Sequence, residues 1–149
     1  MVLVDTNVIF ALLVRNTPWS ESARELYGLD PDWRTESHAL VEISNVLSRY
    51  VRVRELTVLQ AVAVMTEADQ RLQPRLIAAV HVDALRMALK YKVSAYDARF
   101  LLSAAGLGVK LVTEDVKLRA AVPSLTQSLH DALAACSLTA PTYVPAHQK

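Results

Sequence analysis

Four carboxylates are the residues of this chain best placed to do chemistry together: Asp5, Glu42, Asp97 and Asp115. Asp5 interrupts the opening "MVLVDTNVIF", where an apolar run of strand-forming residues gives way to Asp-Thr-Asn before Val8, Ile9 and Phe10 resume. A carboxylate at the edge of a core is costly unless something positive meets it, and the neighbouring sequence supplies no cation. Asp115 follows the apolar stretch 109–113, Asp97 falls in the first turn of a helical stretch, and Glu42 lies on the polar margin of another. If all four converge, two like charges ~4 Å apart repel by ~4 kcal/mol at an effective dielectric of ~20. Such a group either takes up protons or encloses a divalent cation. With only oxygen donors and no Cys or His cluster, the ion that fits is hard, Mg²⁺ or Mn²⁺ rather than zinc.

Each acid also has a local explanation. Asp97 completes a Ser94-x-x-Asp97 capping box, Asp115 suits a helix cap, and Glu42 could pair with His38 or Arg49 on a solvated face. Asp5 is the hardest to dismiss, because it directly follows a strand and precedes an apolar helix. Thr6 and Asn7 could form a turn, or could hydrogen-bond the carboxylates and nearby water.

The elements that must position these groups are legible from apolar spacing. Residues 2–4 read as a buried strand and 8–14 as a helical start. Pro18 suits the first turn of a second helix through about Leu29, with Gly28 near its end, the Asp30-Pro31-Asp32 stretch signals a turn, and residues 33–35 suit a second strand. From Ser37, the positions Ala39, Ile43, Val46, Leu47 and Tyr50 make one apolar helical stripe. Thr57 with Gln60 predicts a capping box for a helix to about Arg71, with Pro74 marking the break. Residues 76–80 suit a strand, 83–91 a helix, and 95–105 another, closed by Gly106 and Gly108. A strand over 109–113, a short helix to Val122 and a loose Pro-containing tail from 139 complete the reading. Strands alternating with helices predict an α/β fold with a mainly parallel sheet, whose strand ends share one ligand-binding edge.

Bulk properties set the outer bounds. The chain has 149 residues, enough for one domain, here read as 1–138 followed by the tail 139–149. Its formal charge is only +1, so any nucleic-acid surface must come from local placement of Lys and Arg. Cys136 is the single cysteine, which excludes an internal disulfide and suits a reducing cytoplasm. The opening reads neither as a signal peptide nor as a membrane span.

Three stretches, "VLVDTNVI", "HALVEISNVL" and "VSAYDARFLLSAAGLGVKLVTEDVKL", together resemble the PIN-domain ribonucleases, especially the VapC-like toxins of type II toxin-antitoxin pairs. The resemblance spans roughly residues 1–135. It implies a parallel-sheet α/β/α sandwich that cuts RNA with Mg²⁺ or Mn²⁺, dimerises, and pairs with a cognate antitoxin. It maps Asp5, Glu42, Asp97 and Asp115 onto the acidic metal site, with Thr6, Asn7 and Thr113 beside it. Arg49, Arg99 and Lys117 are the candidate RNA contacts, with Arg15, Arg52, Arg54 and Arg119 as further basic residues. Trp19, Leu26 and Tyr27 are candidate antitoxin contacts. Two other readings of aspartates at strand ends fare worse. A phosphoacceptor domain wants a lysine ending a late strand, where Lys110 instead begins one, and a haloacid-dehalogenase-type phosphatase wants an aspartate where Asn7 stands. A PIN-like fold kept as a non-catalytic RNA-binding or protein-interaction module is the alternative from another class.

Overall fold

Short apolar runs make the strands and capped amphipathic stretches make the helices. The computed structural model describes residues 1–14 and 16–139, so Arg15 and the tail read from the sequence, apart from Thr139, lie outside the described residues. In chain order the elements are β1 (Val2–Val4), α1 (Thr6–Leu13), α2 (Ser20–Leu29), β2 (Trp33–Glu36), α3 (Ala39–Arg52), α4 (Val58–Leu72), β3 (Leu76–Ile77), α5 (His81–Tyr91), α6 (Ala95–Leu107), β4 (Leu111–Val112), α7 (Val116–Ala121), β5 (Thr126–Gln127) and α8 (Leu129–Thr139). The strands form one five-stranded sheet in the order β3-β2-β1-β4-β5, with every pairing parallel.

β1 is the axis of this sheet. Leu3 is in register with Arg34 on one side and Leu111 on the other, and Leu3 and Val4 are wholly buried. From β1 the chain builds outward through β2 and β3, then crosses back to add β4 and β5. The order therefore reverses between β1 and β4, and in open parallel sheets the ligand crevice opens at the carboxyl ends of the strands flanking such a reversal. Helices flank the sheet, with α1 packed on α2 and α3, α3 on α4, α2 on α8, and α5 on α6. The core they share joins Ile9, Leu26, Trp33, Ile43, Leu101 and Leu129 to the strand residues.

Caps fix where the helices begin and so where their residues point. Asp5 accepts from the Val8 amide at 2.9 Å, which starts α1 at Thr6, two residues before the apolar pattern alone implies. Thr57 and Gln60 make the reciprocal capping box, with bonds of 2.8 and 3.1 Å. α6 runs through Gly106 and ends at Leu107, closed by Gly108 in the left-handed region at φ 66°, where glycine carries no steric penalty. β3 is only two residues long, so the predicted strand 76–80 shortens and α5 starts at His81 instead of 83. Among the described residues no helix is long and apolar enough to cross a membrane.

Candidate active site

Asp5 joins the two strands that flank the reversal. Its backbone amide donates to the Val112 carbonyl at 3.2 Å, and its carboxylate accepts from the Val8 amide and from the Thr113 hydroxyl. Thr113 is itself buried and receives the Asp115 amide at 3.1 Å, so the end of β4 is tied to the end of β1 through one side chain. Asp5 is only 7% exposed. Burial pushes its pKa up, from 3.8 to about 6, against the lowering pull of Thr113 and Val8, and nearby Glu42 and Asp115 push the same way. Among the described residues no cation pairs with it.

The other three acids come from separate elements. Asp115 caps α7 through the Leu118 amide at 2.9 Å. Asp97 stands in the first turn of α6, where its amide donates to Ser94 at 3.0 Å and the Ser94 hydroxyl returns a bond to its carboxylate at 2.7 Å. Glu42, in the first turn of α3, accepts from the Thr6 hydroxyl. All four carboxylates, with Thr6, Asn7 and Asn45, line one cleft of about 260 Å³ whose floor is Val46, Phe100, Leu111 and Leu118. The cap reading of Asp115 holds, while at α6 only the Ser94 half of the expected capping box forms, the Asp97 carboxylate taking the Ser94 hydroxyl instead of its amide. The bonds at these helix starts also hold the acids at the cleft. Asn45 also lines the cleft without a sequence signal of its own beyond its place one turn after Glu42.

The donor set is oxygen throughout. One oxygen each on Glu42, Asp97 and Asp115 accepts no hydrogen bond from the described residues. That chemistry suits a hard divalent cation. As the side chains stand, however, no three of His, Cys, Asp or Glu among the described residues are gathered closely enough to hold an ion. Binding would therefore draw these carboxylates inward from separate elements.

The basic residues differ in how they are engaged. The Arg99 guanidinium, a candidate RNA contact, donates within the fold to buried Glu36 at 2.6 Å and lies 3.0 Å from His81 Nδ1. Desolvation raises Glu36, but Arg99, the His38 and Ala79 amides and the Ser37 hydroxyl outweigh it and hold the carboxyl below its usual range. Leu26 is wholly buried in the core and Tyr27 packs edge-on to Trp33, leaving Trp19 as the exposed member of that trio. Arg119 is likewise occupied, donating to the Thr113 carbonyl at 2.7 Å and to Glu114 at 2.9 Å. Arg49 and Lys117 are exposed and make no ion pair among the described residues. His38 spends its amide on Glu36 at 2.6 Å and sets its ring beside Tyr96.

A parallel α/β domain with an acidic cleft at its strand reversal is the class that fold and site define. Comparison with known proteins gives the family: residues 2–122 match the PIN domain, and the chain belongs to that family. PIN domains are generally nucleases that use divalent metal ions. Among solved structures, PAE2754 from Pyrobaculum aerophilum superposes with a TM-score of 0.68 at 19% identity, covering 91% of this chain and 88% of that one, a likeness of fold. No curated protein matches the chain.

Proposed function

We propose that this chain is an Mg²⁺- or Mn²⁺-dependent endoribonuclease that hydrolyses RNA phosphodiester bonds. The observation that carries this reading is the gathering of four carboxylates from four elements into one cleft, with buried Asp5 left without a cation partner among the described residues. Asp5 and Asp97 are the direct ligands of the ion, and Glu42 and Asp115 hold a second ion or position water. When bound, the ion supplies Lewis acidity at the phosphate and lowers the pKa of water. The chain's own contribution is orientation of each acid: Thr113 holds the Asp5 carboxylate, Thr6 holds Glu42 and the α6 cap holds Asp97, and the four would be drawn together when the ion binds. Asn7, exposed at the mouth of the cleft, offers amide protons to a phosphate oxygen. Exposed Arg49 and Lys117 offset the repulsion between a polyanion and the acidic centre.

The three motif stretches extend the proposal to biology: the toxin of a type II toxin-antitoxin pair, acting in the cytoplasm as a homodimer and held in check by a cognate antitoxin. A pool of structured RNAs incubated with Mn²⁺ or with a chelator tests the enzyme. Cutting should require Mn²⁺, and Asp97→Asn should reduce it to the chelator background while Mn²⁺ raises the melting temperature of wild type far more than that of the variant. Wild-type cutting by Asp97→Asn would remove Asp97 from the mechanism, and tight binding with intact RNA would make the protein a non-catalytic module.

A further inference from the structure

Three clefts meet at the acidic site and share its walls. Glu42 and Asn45 belong both to the acidic cleft and to an open one of about 600 Å³ that reaches His38 and Tyr96. Thr6, Asn7 and Val46 belong both to the acidic cleft and to one of about 250 Å³ that reaches Trp19 and Arg49. Together they make a groove that is acidic in the middle and carries an exposed aromatic ring in each arm. Tyr96 is 58% exposed, one side of its ring set 5.1 Å from the His38 imidazole at an interplanar angle of 35°. Trp19 is 42% exposed and shares its arm with Arg49.

Proteins that hold single-stranded nucleic acid combine accessible aromatic faces, on which bases stack, with cations that follow the backbone. Bases in a duplex are already stacked on one another and offer no free face, so such rings select an open strand. We propose that Tyr96 and Trp19 are base-stacking platforms on either side of the phosphate to be cut, with Arg49 receiving a backbone phosphate on the Trp19 side. The groove then sets which nucleotides flank the cleavage point, while the carboxylates set only where cutting happens. Which phosphate is cut rests on the nuclease reading above, whereas stacking is measured without cutting.

The probe is a fluorescein-labelled oligouridine in chelator, where the strand stays intact. Tyr96→Ala and Trp19→Ala should each weaken binding ~5- to 100-fold, and Tyr96→Phe and Trp19→Phe should keep wild-type affinity within roughly threefold. The two losses should multiply in the double variant, because the rings sit in separate arms. Trp33 is 1% exposed, so quenching of tryptophan emission by the strand reports Trp19 and should vanish in Trp19→Phe. Far-UV circular dichroism checks that the alanine variants fold. Unchanged affinity in both, with no quenching, overturns the platforms even if Mn²⁺-dependent cutting by wild type upholds the nuclease. The expected losses in a protein that cuts nothing uphold the platforms and overturn the nuclease, and a wild type that neither binds nor cuts overturns both.

Discussion

Asp5 and Glu36 are buried carboxylates at the same edge of the same sheet, one just past β1 and the other ending its neighbour β2. Glu36 is given a full set of partners: the Arg99 guanidinium, two backbone amides and the Ser37 hydroxyl. Asp5 receives one amide and one hydroxyl, with two further acids nearby. Glu36 is therefore held below its usual range by its partners, while burial and the neighbouring acids push Asp5 up to about 6. An arginine where Asp5 needs one would make the first acid as inert as the second; among the described residues none pairs with it, which supports the proposal that positive charge reaches the cleft from solution.

Breaking the satisfied member should have the largest effect on stability. Arg99→Met would leave Glu36 buried without its cation, and stranding one partner of a buried pair costs roughly 3–5 kcal/mol. The pair's contribution is present above the unfolded Glu value of 4.5 and is lost as pH falls through the depressed folded pKa. Urea unfolding should thus show a loss at pH 7 that shrinks in acid, with Glu36→Gln added to Arg99→Met recovering part of it. A loss below ~1 kcal/mol at pH 7 would mean that the two carboxylates do not differ as their surroundings imply.

Replacing the unsatisfied member should act in the opposite direction. Asp5 binds its proton more tightly in the folded state, at about 6 against 3.8, so its favourable contribution is complete below 3.8 and lost as pH rises through 6. A shift of this size corresponds to about 3 kcal/mol between the two ends of that window. Asp5→Asn keeps an oxygen for the Val8 amide and removes the charge. In chelator, it should raise stability by about 1–3 kcal/mol at pH 8 and change it little at pH 4, read as the shift in urea midpoint at each pH. A variant less stable than wild type at pH 8 would show that the carboxylate is adequately solvated where it lies.

The contrast also separates what was legible in the sequence from what was not. Asp5, Asp97 and Asp115 could be placed because each follows a strand or opens a helix, and caps are encoded within three residues. Glu42 followed from the apolar stripe of α3, which leaves it at the boundary. The Glu36–Arg99 pair was invisible, since it joins positions 63 apart: Arg99 alone reads as a candidate RNA contact and nothing near Glu36 in the sequence signals a buried partner. β5 escaped for a different reason: Thr126 and Gln127 are polar and too few for alternation to register, and only pairing with Leu111 and Val112 makes them a strand. Local chemistry was readable, whereas partners brought from a distance by the sheet were not.

The smallest effect should come from Lys117, which stands two residues after Asp115 as Arg99 stands two after Asp97. The spacing is the same, yet Arg99 is spent on Glu36, while Lys117 is exposed on α7 and makes no ion pair among the described residues. A solvated lysine contributes little to folding, so Lys117→Ala should leave stability within about 0.5 kcal/mol. If it meets a backbone phosphate, its loss should flatten the plot of log affinity for oligouridine against log salt by ~0.7, the value of one contact on a single strand. Titration between low and moderate salt reads that slope directly. An unchanged slope would reduce Lys117 to plain surface, with Arg49 left as the exposed basic residue that lines a neighbouring cleft.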